Sequence, residues 1–320
     1  MHAPVALFVY RRPRHARETL ESLSRNSLAA ESELFVFSDG PRGIDKQERR
    51  DVEEVRRLLR TRQWCGKVSV IESAENRGLA TSITSGVSEI SKRFGRVIVL
   101  EDDLVTSPFF LSYMNRALQV YEHEPKVMHI AGYSPPLAAN LPPTYLYRNT
   151  TCWGWATWDR AWRIFRSDAR SMLAELEKRN LFYRFNLDGS YAATRQLIDN
   201  IDGTRDTWAI RWYASVFLAG GLCLHPHRSL VQNIGADGSG TNAGTTEIYR
   251  IGELAEQIDV VAVHPVEETR EASDAIRRFN LNAHPNLTWR ALSRARALGW
   301  AYCPSFMVRM QRRASPLSTH

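Results

Sequence analysis

The first hundred residues alternate short apolar runs with stretches of helical spacing, and that alternation narrows the fold more than any other feature of the chain. Runs at 5–10, 34–38, 67–72 and 96–100 have the length and the β-branched and aromatic content of buried strands. Between them a helix begins at 16–23, and 47–60 and 79–92 also read as helices. The second of these sets Val52, Val55, Leu58 and Leu59 on one face of an otherwise charged cylinder. Strand, helix and strand in unbroken succession predict βαβ units. The expected fold class is therefore α/β, a mainly parallel mixed sheet flanked by helices.

With 320 residues, 43% of them hydrophobic, the chain can bury a full core. No apolar run approaches the roughly 18–20 residues that span a bilayer. The opening MHAPVALFVYRRP reads as a first strand and not as a signal peptide. Cys65, Cys152, Cys223 and Cys303 lack metal-site spacing and are expected to be buried thiols in a reducing cytosol. The net charge of +7 sits largely at the end, where 289–320 carries six Arg and no acid. With Trp289, Trp300, Phe306 and Met307 this tail reads first as a solvated end, then as a surface for anionic lipid, and last as a nucleic-acid contact.

After Pro125 the order is less regular, with strands expected at 127–133, 145–148, 222–225 and 229–233 and helices at 167–178 and 208–219. A helix from Pro108 to about Tyr121, capped by Ser107, precedes them. GADGSGTNAG, 235–244, is too rich in glycine for an element; it is either a plain surface loop or one that closes over a ligand.

The fourth strand runs into Glu101, Asp102 and Asp103. Side chains alternate faces along a strand, so three acids meet only if the backbone turns there. Such near neighbours repel unless a cation or donors compensate. They either end a strand in solvent or hold a ligand at the carboxyl edge of the parallel sheet, where open α/β sheets bind theirs. With no His or Cys beside them they suit Mg²⁺ or Mn²⁺, held by one or two carboxylates together with phosphate oxygens and water. The ligand is then expected to carry a diphosphate. No G-x-G-x-x-G follows the first strand and no G-x-x-x-x-G-K-[ST] occurs, which sets aside dinucleotide hydride transfer and P-loop hydrolysis. Arg12, closing the first strand, is placed to meet a phosphate, and Asp39, closing the second, to accept from a base or ribose. The plain alternatives are a strand-end charge and a turn residue.

The succession strand-R-P, strand-S-D-G, N-R-G-L-A, V-I-V-L-E-D-D-L, C-W-G-W-A-T-W and D-T-W-A-I-R-W, over roughly residues 4–245, resembles the metal-dependent glycosyltransferases of GT-A fold. The nearest likeness is to N-acetylglucosaminyltransferase I and its bacterial relatives. The resemblance implies a GT-A type Rossmann-like fold and inverting transfer of a sugar, GlcNAc by preference, from a UDP-sugar to a saccharide hydroxyl in glycan or cell-surface polysaccharide synthesis. By motif it gives Asp103 to the metal, Asp102 to the donor ribose or metal shell, Glu101 to the donor sugar, Arg12 to the diphosphate and Asp39 to the uridine. An inverting displacement needs a base about 2.6–3.2 Å from the attacking hydroxyl. Motif position gives Asp206, which also reads as the N-cap of the helix at 208. Related bacterial sequences place an acid just after the Trp, where this chain has Ala209. Trp155, Trp158 and Trp162 recur at i, i+3, i+7 and are expected in the core, whereas Trp153 is expected against a sugar. His225, His227 and His264 share no spacing and read as structural.

The expected organisation is a nucleotide-sugar-binding half, 1–125, an acceptor-facing and catalytic half of the same domain, 126–288, and the basic tail, 289–320. Expected partners are a UDP-sugar donor and a saccharide or glycolipid acceptor, with Mn²⁺ or Mg²⁺ as cofactor and no nucleic acid. The expected location is cytoplasmic, with peripheral contact on the inner membrane face through the tail. Two other function classes stay open. A sugar-nucleotide pyrophosphorylase would want a glycine-rich first loop where Tyr10-Arg11-Arg12-Pro13 stands; a non-catalytic carbohydrate or membrane-surface module would use the Trp cluster and the tail.

Overall fold

The computed structural model describes residues 2–238 and 247–283. In chain order the first half holds β1 (Val5–Val9), α1 (Pro13–Ser24), β2 (Glu33–Ser38), α2 (Lys46–Leu59), β3 (Lys67–Glu72), α3 (Leu79–Phe94) and β4 (Arg96–Glu101). The expected elements are all there. Next come β5 (Leu104–Thr106), α4 (Phe110–Val120), β6 (Val127–Ala131), β7 (Thr144–Tyr147), β8 (Trp155–Trp158) and α5 (Asp159–Trp162). The chain continues through α6 (Ala169–Lys178), α7 (Phe182–Phe185), α8 (Ala193–Ile201), α9 (Trp208–Leu218), β9 (Leu222–Pro226), β10 (Val231–Asn233) and α10 (Arg270–Ala283). The basic tail 289–320 with Cys303, and 239–244 of the glycine-rich stretch, lie outside the described residues.

Eight strands form one sheet in the order β3-β2-β1-β4-β8-β6-β9-β7, and β5 and β10 make a separate antiparallel ribbon. The first four run parallel, with Val5 opposite Leu34 on one side and Ile98 on the other. β8 enters antiparallel between β4 and β6, β9 lies parallel to β6, and β7 closes the edge antiparallel to β9. The result is a mixed, mostly parallel α/β sheet of GT-A Rossmann-like type with helices on both faces. Its central strands are apolar on both sides because both are covered. In β1, Val5, Leu7 and Val9 enter the core under α1, α2 and α4, while Ala6 and Phe8 enter the one under α3 and α9. A third core gathers α6, α8, α9 and α10.

Local chemistry fixes the helix ends. Pro13 opens α1, where its missing N–H costs nothing. Asp45 caps α2, accepting from the amides of Gln47 (2.8 Å) and Glu48 (3.3 Å). Gly95 stops α3 in a left-handed conformation (φ 78°) that a Cβ would oppose. Ser107 accepts from the Phe109 amide (3.1 Å), yet α4 begins only at Phe110, two residues past Pro108.

The tryptophan motif departs from its apparent helical period. Trp155, Trp158 and Trp162 are buried, as expected, but through a strand followed by a helical turn. Alternation along β8 sends Trp155 into the core with Trp162, Trp208 and Trp212, and Trp158 to the opposite face, where its indole N–H donates to the Leu118 carbonyl (3.2 Å).

Candidate active site

The three acids lie at the carboxyl end of β4, beside β1. Glu101 closes the strand; the chain turns at Asp102 and Asp103 and leaves as β5 to pair with β10. Two contacts hold the turn open to one side. Thr19 of α1 donates to the Asp102 carbonyl (2.8 Å) and accepts from the Leu104 amide (3.1 Å), and the Ile234 amide donates to the Asp103 carbonyl (2.9 Å). The backbone bend that a shared acid site requires is therefore built in.

Arg12, between β1 and α1, reaches back to this turn. Its Nη2 donates to Asp102 and to Asp103 Oδ2 (3.0 Å), and the Tyr10 amide donates to Asp102 (3.3 Å). Its Nη1 is buried without a partner among the described residues. Burial works against the guanidinium charge, but the two aspartates outweigh it and hold Arg12 above its ordinary range. One cation does not balance three carboxylates. Burial, then the charges of Asp103 and Asp102, push Glu101 up to about 8, and burial with Asp102 raises Asp103 despite Arg12.

Asp39, at the end of β2, is buried at the cleft wall, and both its oxygens are engaged. They accept from the amides of Gly40 (2.9 Å), Arg77 (2.8 Å) and Gly78 (3.0 Å), which ties the N-R-G-L-A segment to the sheet. Beside it Phe8, Phe37, Leu79 and Ser82 line the same wall, with Phe37 stacked on Phe8 (centroids 5.0 Å apart). Trp153 also faces the cleft, its ring flanked by Tyr133 (4.6 Å) and Tyr249 (5.9 Å). Arg12, Asp39, Glu101, Asp102, Asp103 and Trp153 thus share one cleft of about 1320 Å³.

Asp206 does not join them. Its side chain is 73% exposed, pairs with Arg211 (2.6 Å) and is not among the cleft-lining residues, although Arg205, Thr207, Trp208 and Ala209 are. Nor does it cap α9: Thr207 holds that position, without a side-chain capping bond. Cys65 and Cys223 are buried thiols, whereas Cys152 is half-buried in the cleft. His225 is buried and its Nε2 donates to the Asn149 carbonyl (2.8 Å), and His227 and His264 are not among the cleft-lining residues.

A strap over the acids is built from the expected strand after 229 and the start of the glycine-rich stretch at 235. β10 and the residues after it carry Gly235 so close to Asp103 that a Cβ there would sit 2.2 Å from Oδ2 and 3.0 Å from Arg12 Nη1. Asp237 on this strap meets His15 of α1 (3.2 Å). His15 could have been suspected, since it lies three residues after Arg12 on the first turn of a helix. Tyr191 and Gln196, which also line the cleft, carry no motif at all.

Among the described residues no group of three or more His, Cys, Asp or Glu forms a ready metal cage. The acid turn nonetheless suits a hard cation that takes its remaining ligands from elsewhere: it offers carboxylate oxygens and bears more negative charge than Arg12 balances, while the Arg12 Nη1, without a partner among the described residues, suits an anion beside it. No helix among the described residues is long and apolar enough to cross a membrane.

No protein-family model matches the chain, and no curated protein does. Among solved structures it is similar to S. aureus TarS 1-349 in complex with UDP-GlcNAc, at 15% identity over 44% of this chain and TM-score 0.32. It is also similar to the apo form of mouse xyloside xylosyltransferase 1 (15%, 68% of this chain and 81% of that one, TM-score 0.35). A third is UDP-glucose pyrophosphorylase complexed with UDP-glucose (9%, 70% and 90%, TM-score 0.36). The match spans only 37% of the TarS chain. With TM-scores this low, the functional reading stands on the geometry of the cleft.

Proposed function

We propose that the chain is a metal-assisted inverting glycosyltransferase that moves a sugar, GlcNAc by the resemblance to N-acetylglucosaminyltransferase I, from a UDP-sugar to a saccharide hydroxyl in glycan or cell-surface polysaccharide synthesis. The observation that carries this is the incompletely balanced acid turn with its unpaired Arg12 Nη1, set in a cleft at the carboxyl edge of the parallel strands. A diphosphate oxygen would satisfy Nη1, and Asp103, with Asp102, would hold Mn²⁺ or Mg²⁺. A cation held by these residues would supply the charge that offsets what develops on the departing diphosphate. Glu101, closing the strand beside them, would hydrogen-bond the donor sugar, and Trp153 would wall the sugar from one side. Asp39, by fixing the loop at 77–78, shapes the uridine wall and offers what remains of its lone pairs. The acceptor hydroxyl's proton would pass to Asp206 as base, which requires that Asp206 leave its pair with Arg211 and turn into the cleft. In the same reading, 1–125 binds the donor, 126–288 faces the acceptor, and 289–320 rests on an anionic inner membrane face of the cytoplasm.

Calorimetry against a panel of UDP-sugars, with Mn²⁺ and with chelator, tests the reading. The expected result is cation-dependent binding of one UDP-sugar, lost in Asp103→Ala, with UDP released when acceptor is added. Equal affinity in chelator, intact binding by Asp103→Ala, or release of pyrophosphate from a nucleoside triphosphate overturns it.

A further inference from the structure

Just before the cleft-lining residues 190–192 the backbone is left-handed at three consecutive residues, Leu187 (φ 50°), Asp188 (φ 53°) and Gly189 (φ 72°). Side chains disfavour this conformation, and a fold keeps it where the surroundings dictate it. Here they do. Buried Arg148 donates from Nη1 to the Arg184 carbonyl (3.2 Å) and to Asp188 Oδ1 (3.1 Å), while its Nε grips both oxygens of Glu268 (2.9 Å each). Ser190 donates to the Leu187 carbonyl (2.7 Å), Asn280 of α10 donates to Ser190 (3.3 Å), and the Tyr191 amide donates to the Asn186 carbonyl (3.0 Å).

What this turn delivers to the cleft is Ser190, Tyr191 and Ala192. The Tyr191 hydroxyl oxygen accepts from Gln196 Nε2 (2.6 Å), a residue on the first turn of α8. Among the described residues its own proton meets no acceptor and the side-chain Oε1 of Gln196 meets no donor, while the Gln196 backbone carbonyl is taken by Asn200 Nδ2 (2.9 Å). A proton to give beside a carbonyl to receive matches a hydroxyl group, which donates and accepts at once. Tyr191 also adjoins Tyr249, whose hydroxyl burial and Tyr191 together push up to about 12, and Tyr249 edges the Trp153 ring. Apolar ring surface next to a hydroxyl-reading pair is the chemistry of a sugar site.

We propose that Tyr191 and Gln196 read one hydroxyl of a neutral saccharide bound in the cleft, and that Arg148 is a positioning residue acting through the left-handed turn. The saccharide's role as acceptor rests on the transfer reading; its binding does not.

The test titrates methyl glycosides of glucose, galactose, mannose and N-acetylglucosamine into the full chain by calorimetry, with and without UDP and Mn²⁺, and then the monodeoxy analogues of any that bind. At least one glycoside is expected to bind in the millimolar range or tighter, with one deoxy analogue weaker by tenfold or more. Tyr191→Phe should weaken the parent sugar about tenfold and lose discrimination at that position, with Gln196→Leu behaving alike. Arg148→Lys should weaken the sugar several-fold in the wild-type background and add nothing to Tyr191→Phe. The proposal is overturned if no glycoside binds under either condition, if Tyr191→Phe keeps full discrimination, or if Arg148→Lys and Tyr191→Phe simply add. Should glycosides behave as expected while no UDP-sugar binds, the transfer reading falls and the saccharide site stands.

Discussion

Two clusters of guanidinium and carboxylate are buried in this chain, and they are built to opposite rules. At Arg148 every guanidinium nitrogen has an acceptor, among Glu268, Asp188 and a carbonyl, and Arg184 brings a second cation to Glu268 (2.7 Å). Two arginines face two acids. Burial alone would raise Glu268; the hydrogen bonds and charge of Arg148, then of Arg184, hold it below the usual carboxylate range. At Arg12 one guanidinium serves Asp102 and Asp103 with Glu101 alongside, one of its nitrogens is buried with no partner among the described residues, and Glu101 and Asp103 are lifted instead of lowered. A satisfied network fixes structure, whereas an unsatisfied one costs stability and persists where a ligand completes it.

Breaking the closed cluster should cost the most. Arg148→Ala leaves Glu268 and Asp188 with Arg184 alone, and a loss of about 3–5 kcal/mol is expected in urea denaturation. A loss below about 1 kcal/mol, the range of exposed pairs, would erase the contrast.

Acid probes the same half next. His129 is wholly buried; its Nδ1 accepts from Trp212 Nε1 (3.0 Å), so its Nε2 donates to the Thr151 carbonyl (3.0 Å), and burial lowers its pKa to about 3. An unfolded histidine binds a proton near pH 6.5, so between these values the unfolded chain holds more protons and stability falls as pH drops. The expected slope is about 1.4 kcal/mol per pH unit, some 2–3 kcal/mol by pH 4.5. His225, lowered to about 4 by burial, adds a like slope over a shorter span. Denaturant midpoints at pH 7, 5.5 and 4.5 should show a shallower dependence for His129→Asn; an unaltered slope assigns the effect elsewhere.

On the open cluster the effects on stability should be smaller and those on binding larger. Gly235→Ala forces the strap off Asp103, for about 1–3 kcal/mol, with UDP-sugar affinity reduced alongside. Unchanged affinity there would mean that the strap does not shape the site. Asp103→Asn removes a charge that burial already penalises, so at pH 7 its stability should lie between that of wild type and about 1 kcal/mol above it, even as cation-dependent binding is lost. Destabilisation on the scale of Arg148→Ala would mean that both clusters are structural.

The same contrast explains what the sequence could disclose. β1 to β4 were legible because strands covered on both faces are written as continuous apolar runs, and the helices between them bury one periodic face. The acid turn and Arg12 were legible because charge at a strand end is conspicuous. Asp206 was not, because the segment at 205–209 supplies Arg205, Thr207, Trp208 and Ala209 to the cleft while turning Asp206 to solvent, and neighbouring residues in a loop carry no period to say which way each points. The strand β8 was hidden by tryptophans whose spacing mimics a helix. Tyr191 and Gln196 owe their places to a turn held by Arg148, more than forty residues earlier, and to Glu268, some eighty residues on; no local pattern records such a dependence.

The insertion of β8 between β4 and β6 also bears on the order of assembly. Until residue 158 has left the ribosome, the outer edge of β4 has no neighbour, and the apolar faces of the nascent sheet lack Trp155 and Trp158. A fragment ending near residue 125 would present that bare edge to other copies of itself and tend to aggregate instead of folding alone. One late strand, threaded back through the middle, makes the polypeptide mature as a unit.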